Sequence, residues 1–181
     1  TKVEFDLTSQ IFFTGGNGSS GTELCVSDGT SAGTILVKDI VPGSASSYPS
    51  VLTAMDGSLY FCPGSSGQSG GELWVSNGTS VGTHLVRKVF QGSGAITNMV
   101  AFNSKIYFNG STVSAGDELW SSDGTSVGTT QLLDIRPGSL GCNLSGFAEL
   151  NGKLYFSAND GTHGEELWRT DGTALGTELF M

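Results

Sequence analysis

The sequence predicts an all-β fold, a small β-propeller of four four-stranded antiparallel blades. Three observations carry this expectation. One phrase recurs four times, from Glu23 to Thr30, Glu72 to Thr79, Glu118 to Thr125 and Glu166 to Thr173, each followed two residues later by Gly-Thr. Each copy holds four short apolar runs separated by Gly, Asn, Asp and Ser. No stretch has the 3.6-residue apolar period of an amphipathic helix.

The phrase reads Glu-Leu-Trp-Ser-Ser-Asp-Gly-Thr in its third copy, and the steps from Asp28 to Asn77, Asp123 and Asp171 are 49, 46 and 48 residues. Blades of about 1–41, 42–90, 91–136 and 137–181 follow, in one domain spanning the 181 residues. In the second copy, Val51 to Met55 is a first strand and Asp56-Gly57 a hairpin turn. Ser58 to Cys62 is the second strand, followed by a Gly/Ser loop from Pro63 to Gly70. Glu72 to Ser76 is the third, and Thr83 to Lys88 the fourth, after the turn Asn77 to Gly82. The second strands of the other copies carry Ile11-Phe12-Phe13, Ile106-Tyr107-Phe108 and Leu154-Tyr155-Phe156. Runs apolar on both sides suit sheets covered on both faces, as propeller blades are. The chain starts in a first strand (Val3 to Leu7) and ends in a fourth at Met181. Closure therefore requires blade one against blade four or a dimer forming a larger ring, and the closed four-bladed monomer is the favoured expectation.

Net charge is −9, with eight Lys and Arg. So few cations form no basic patch for phosphates, which disfavours nucleic acid and anionic membrane surfaces as partners. No apolar run is long enough to span a bilayer, so no membrane insertion is expected. The cysteines Cys25, Cys62 and Cys142 fit no zinc spacing and allow at most one disulfide within the chain; either that or three small apolar residues is consistent with the sequence.

The recurring Glu-Leu-Trp-x-x-Asp-Gly-Thr phrase resembles the ELWxxDGT repeat family of large secreted and surface proteins. The resemblance covers essentially the whole chain and implies a propeller-like fold and an extracellular location. It carries no common activity. The first copy departs from it, with Cys25 where the others have Trp, and the second has Asn77 in place of Asp. A chain beginning at Thr1 is what a processed exported protein would show, although a cut at a domain boundary would look the same. The turn is also similar to the Asp-box of sialidase-type propellers, which lies away from their catalytic centre.

Asp28, Asn77, Asp123 and Asp171 read as turn-formers whose side chains accept backbone N–H groups; a calcium loop would need more oxygen ligands than one carboxylate. Glu23, Glu72, Glu118 and Glu166 share a strand face with the following Trp or Cys and read as structural acceptors, with a fourfold ligand or metal site as the alternative. Trp74, Trp120 and Trp168 read as core between blades, with sugar stacking as the alternative. Four sequons, at Asn17, Asn77, Asn109 and Asn143, fall in expected turns or loops and are candidate glycosylation sites. No nucleophile elbow, zinc-protease motif or phosphate loop is present, and the only two histidines, His84 and His163, are non-equivalent.

A ligand is therefore expected where the copies disagree, in the second-to-third-strand loops and the links between blades. Tyr48, Gln68, Arg136, Asp160 and His163 stand out there as candidate ligand-binding residues. The expected function is a secreted, non-catalytic binding module for carbohydrate or another small polar ligand. The alternatives are a structural or adhesive module with a surface or matrix partner or a homodimer, and a carrier of a pigment or other apolar molecule between blades. No particular cofactor is indicated.

Overall fold

The computed structural model describes residues 3–6, 10–64, 71–90, 94–112 and 115–181. It is all-β, with four separate four-stranded sheets. The first holds β1 (Val3–Asp6), β2 (Ile11–Gly15), β3 (Glu23–Ser27) and β4 (Ile35–Lys38). The second holds β5 (Ser50–Met55), β6 (Ser58–Cys62), β7 (Glu72–Ser76) and β8 (His84–Lys88). The third holds β9 (Met99–Phe102), β10 (Lys105–Ser111), β11 (Asp117–Ser122) and β12 (Thr130–Leu133). The fourth holds β13 (Ser145–Leu150), β14 (Lys153–Asn159), β15 (Glu165–Thr170) and β16 (Glu178–Leu179). Every sheet is an antiparallel meander in chain order. The chain divides into two compact units, Thr1–Lys88 and Val89–Met181, each containing two sheets.

The recurring phrase forms one turn four times over. In the third copy Asp123 Oδ1 accepts the Thr125 backbone N–H at 2.8 Å and its hydroxyl at 2.7 Å. Thr125 Oγ1 in turn accepts the Gly128 N–H at 2.9 Å. The Thr129 hydroxyl donates back to Thr125 O at 2.6 Å and lies 2.7 Å from Ser122 Oγ. The other copies repeat this, with Asn77 supplying an amide oxygen in place of a carboxylate. A β-carbon on Gly128 would lie 2.1 Å from the Asp123 carboxyl group, so the residue before the last threonine must be glycine. The turn hydroxyls hold Asp28, Asp123 and Asp171 below the usual carboxylate range. Thr83 belongs to this network rather than to the following strand, which begins at His84.

The two sheets of each unit meet through apolar faces. In the first unit Phe12, Leu24, Leu52, Leu59 and Phe61 share one cluster, with Trp74 packed against it. In the second, Tyr107, Leu119, Leu154, Phe156 and Trp168 do the same. Leu24 and Leu119, second in the phrase, thus share a cluster with the Trp that is third in the next phrase. Trp120 and Trp168 are buried and Trp74 is half-buried, as core residues. The turn of each unit's second sheet also rests on the first: a β-carbon on Gly78 would lie 3.4 Å from the Phe12 ring, and one on Gly172 would lie 2.6 Å from the Tyr107 hydroxyl.

Gly172→Ala therefore faces two penalties, a φ of +97° and the Tyr107 hydroxyl. The expected loss is on the order of 1–3 kcal/mol in urea unfolding. Adding Tyr107→Phe should recover part of it, because the clash is removed and the backbone strain is not.

Candidate functional site

The link between the sheets of each unit is built on a buried glutamate. In the first unit Glu23 is fully buried; its carboxylate accepts the Ser47 N–H at 2.8 Å, the Ser47 hydroxyl, and the Ile40 N–H at 3.2 Å. In the second unit the fully buried Glu118 plays the same part, and its Oε2 accepts the Ile135 N–H at 2.8 Å and the Arg136 N–H at 3.2 Å. Cys142 stands where the first unit has Ser47, and Glu118 Oε1 lacks the hydroxyl donor that Ser47 supplies. Burial, reinforced by the charge of Asp134, pushes the Glu118 carboxyl up to about 7 against the two backbone donors and the Cys142 thiol that lower it. Burial also pushes the Cys142 thiol up, as it does the Cys62 thiol. All three cysteines are buried free thiols.

Glu118 thereby fixes the backbone of Arg136. The Arg136 side chain runs beside the loop after β14, so that a β-carbon on Gly161 would lie 3.1 Å from its Nε. Gly161, at φ +84°, is the point where the loop approaches the guanidinium stem. Arg136 Nη1 donates to Gly141 O at 3.4 Å. On either side of Gly161 the loop carries Asp160 and His163. Asp160 Oδ1 accepts the Thr162 and His163 N–H groups at 2.7 and 2.9 Å, and Asp160 Oδ2 lies 2.7 Å from His163 Nδ1. The His163 hydrogen bond holds Asp160 down at about 2, and Asp160 in turn raises His163. The His163 ring is exposed.

The structure thus brings Arg136, Asp160 and His163, three of the five predicted ligand-binding residues, to one loop end of the second unit. Tyr48 belongs to the first unit, in the link pinned by Glu23. Its N–H and that of Ser47 both donate to Thr22 O at 3.1 Å. Its backbone is in the left-handed region (φ 44°) and its side chain is 52% exposed. The equivalent position in the second unit is Asn143, with φ 53°. Gln68 lies outside the described residues.

The sequons divide. Asn17, Asn77 and Asn143 are exposed in turns or links. Asn109 corrects the expectation of a loop: it lies in β10 and is 3% exposed. Its Oδ1 accepts the Thr97 and Asn98 N–H groups at 2.9 and 3.2 Å, and its Nδ2 donates to Ala95 O at 3.0 Å. That nitrogen is committed to folding the link between the second and third copies and is unavailable to a glycan in the folded chain. The 46-residue step there is the shortest, and the side chain takes over what the buried glutamate does in the other two links. Glu72 instead accepts the Trp74 Nε1–H at 3.0 Å. The link-forming roles of Asn109, Ser47 and Cys142 were not foreseen from the sequence: Asn109 lies on the strand beside the repeat's glutamate, and Ser47 and Cys142 follow theirs by 24 residues, in the link.

No protein-family model matches the chain, and no curated protein does. Solved structures resemble it at low identity. A computationally designed protein, Ika8, is 12% identical with a TM-score of 0.54, over 99% of this chain and 47% of that one. Puromycin hydrolase is 14% identical with a TM-score of 0.56, over 94% of this chain and 26% of that one. A prolyl endopeptidase is 12% identical with a TM-score of 0.53, over 95% and 25%. The chain spans about half or a quarter of these proteins, and at such identities the likeness shows fold alone; the matching structures include propeller-like proteins.

Glu118 makes stability depend on pH. Its carboxyl rises from 4.5 unfolded to about 7 folded, so the folded chain holds the proton more tightly. The associated stability is full below pH 4.5 and is lost as pH rises to about 7, by about 3 kcal/mol. Glu118→Gln should flatten this slope in unfolding curves taken from pH 4.5 to 8. Cys142→Ser, which supplies the hydroxyl present in the first unit, should shift the slope to lower pH.

Proposed function

We propose that the chain is a secreted, non-catalytic binding module for a small polar ligand, foremost a carbohydrate, built from sheets that serve as blades of a β-propeller. The observation that supports this most is the convergence of Arg136, Asp160 and His163 on one loop end, all at positions where the four copies differ. An arginine stem beside the loop that carries a hydrogen-bonded carboxylate–imidazole pair offers donors and acceptors for the hydroxyls of a sugar ring. Tyr48 adds an exposed aromatic face on the first unit, held at a positive φ that a bulky side chain rarely adopts. Strain at an exposed aromatic fits a role in contact with a ligand. The glycines, threonines and aspartates of the recurring phrase are assigned to folding and not to this site.

A second reading, a structural module of a surface or matrix assembly, draws on a different observation. The outward face of the fourth sheet leaves Leu150, Leu167 and Phe180 58%, 37% and 47% exposed.

Binding is tested on a glycan array, followed by calorimetry on any hit. Arg136→Ala and His163→Ala should each weaken binding about tenfold or more, as loss of a charge-assisted hydrogen bond does. Their unfolding midpoints should match the parent's. An array without a hit at high protein concentration overturns the carbohydrate reading.

A further inference from the structure

The loop end that carries Arg136, Asp160 and His163 is rich in donors and short of acceptors. Asp160 is largely spent inside its own loop. Its Oδ1 accepts the Thr162 and His163 N–H groups, and its Oδ2 lies 2.7 Å from His163 Nδ1. A carboxylate has about four lone-pair positions, so little more than one is left for a ligand.

His163 keeps its other nitrogen free. Nδ1 is taken by Asp160, Nε2 has no partner among the described residues, and the side chain is 57% exposed. Asp160 favours the imidazolium, and so does the charge of Glu166. In that form Nε2 is a donor.

Arg136 supplies the other donors. The chain has 17 Asp and Glu against 8 Lys and Arg. A cation in it readily finds a carboxylate, as Arg169 finds Glu178 at 2.7 Å. Arg136 pairs with no carboxylate among the described residues, and its contact with Gly141 O is long, at 3.4 Å. Its position is fixed all the same. Its N–H donates to the fully buried Glu118, and its stem lies against Gly161, two residues before His163. The guanidinium is thus held in place without a counter-ion.

We infer that this site takes an acidic sugar, a uronate, whose carboxylate is shared by Arg136 and His163 and one of whose hydroxyls donates to Asp160. The inference rests on the reading of this loop end as a carbohydrate site and narrows it. An arginine fork matches the two oxygens of a carboxylate. A neutral sugar would leave the guanidinium without a counter-charge. A simple anion would leave the last Asp160 lone pair unused, whereas a hydroxy acid meets both.

Histidine ring proton signals test this, because His163 and His84 belong to different units and report separately. Glucuronate, glucuronamide, glucose and acetate are titrated into the full chain at about pH 6, within the ordinary histidine range. Glucuronate should move the His163 signals and leave those of His84 in place. Its Kd should be about tenfold or more below those of glucuronamide and glucose, as a charge-assisted hydrogen bond provides. Saturating glucuronate should also carry the His163 titration to higher pH, because a bound anion favours the imidazolium. Arg136→Gln should bring glucuronate down to the level of glucuronamide, and Arg136→Lys should keep part of the preference. Glucuronamide binding at His163 as tightly as glucuronate overturns the inference and leaves the neutral-sugar reading standing. Acetate binding as tightly as glucuronate overturns it in favour of a simple anion site, and an unchanged preference in Arg136→Gln overturns it as well. His163 signals unmoved by all four compounds overturn it too, and the glycan array then decides the wider carbohydrate reading separately.

Discussion

The turn between the third and fourth strands governs the rest of the molecule. One side-chain oxygen, from Asp28, Asn77, Asp123 or Asp171, accepts both the amide and the hydroxyl of the threonine two residues on. That threonine then binds the next glycine N–H, and a second threonine closes the loop onto a hydroxyl at the end of the third strand. Backbone polar groups at a hairpin end would otherwise depend on water. Here they are satisfied internally, so the end of each sheet has one shape. A turn of fixed shape can be packed upon, and the seating of Gly78 on Phe12 and of Gly172 on Tyr107 depends on it.

From that constraint the packing of the sheets follows. Leucine and tryptophan, adjacent in the phrase, point to opposite faces of the strand, so within each unit the first sheet offers its leucine and the second its tryptophan to the shared cluster. A register shift between the leucine and the next residue recurs in the first three sheets. The face-to-face contact is apolar and contributes about 25 cal/mol for each Å² removed from water. The buried glutamate beside it is tolerated because the link wraps it with donors: three in the first unit, and two backbone donors in the second. The exchange of Ser47 for Cys142 is a small change in volume and a large one in hydrogen bonding, since a thiol is a weak donor. It leaves the second unit's glutamate with only a weak thiol donor in place of the hydroxyl, at the base of the link that carries Arg136.

The positive-φ positions show the same backbone used with different sequences. Tyr48, Val51 and Asp56 in the first unit correspond to Asn143, Gly146 and Asn151 in the second. Asn and Gly adopt that conformation at little cost, while a β-branched valine and a tyrosine do not. The first unit therefore carries strain that the second avoids, and it does so next to an exposed aromatic. Such a difference is invisible in residue type alone, because Tyr and Asn in a link read equally as solvent-facing loop residues.

The sequence by itself determined the all-β class, the four sheets, nearly every strand and the turn that ends each third strand. These rest on local patterns: apolar runs of five or six residues, Asp-Gly and Asn-Gly pairs, and a phrase repeated at 46 to 49 residues. It also placed the distinctive residues outside the repeat, and three of them share one loop end. Only the tertiary structure decided that Asn109 is buried and bonded by its own link, that Glu118 and Glu23 differ through a partner about 24 residues away, and that Arg136 lies along Gly161. The physical reason is that each of these is set by which atoms a folded link brings within about 3 Å, and no periodicity in the chain records that distance.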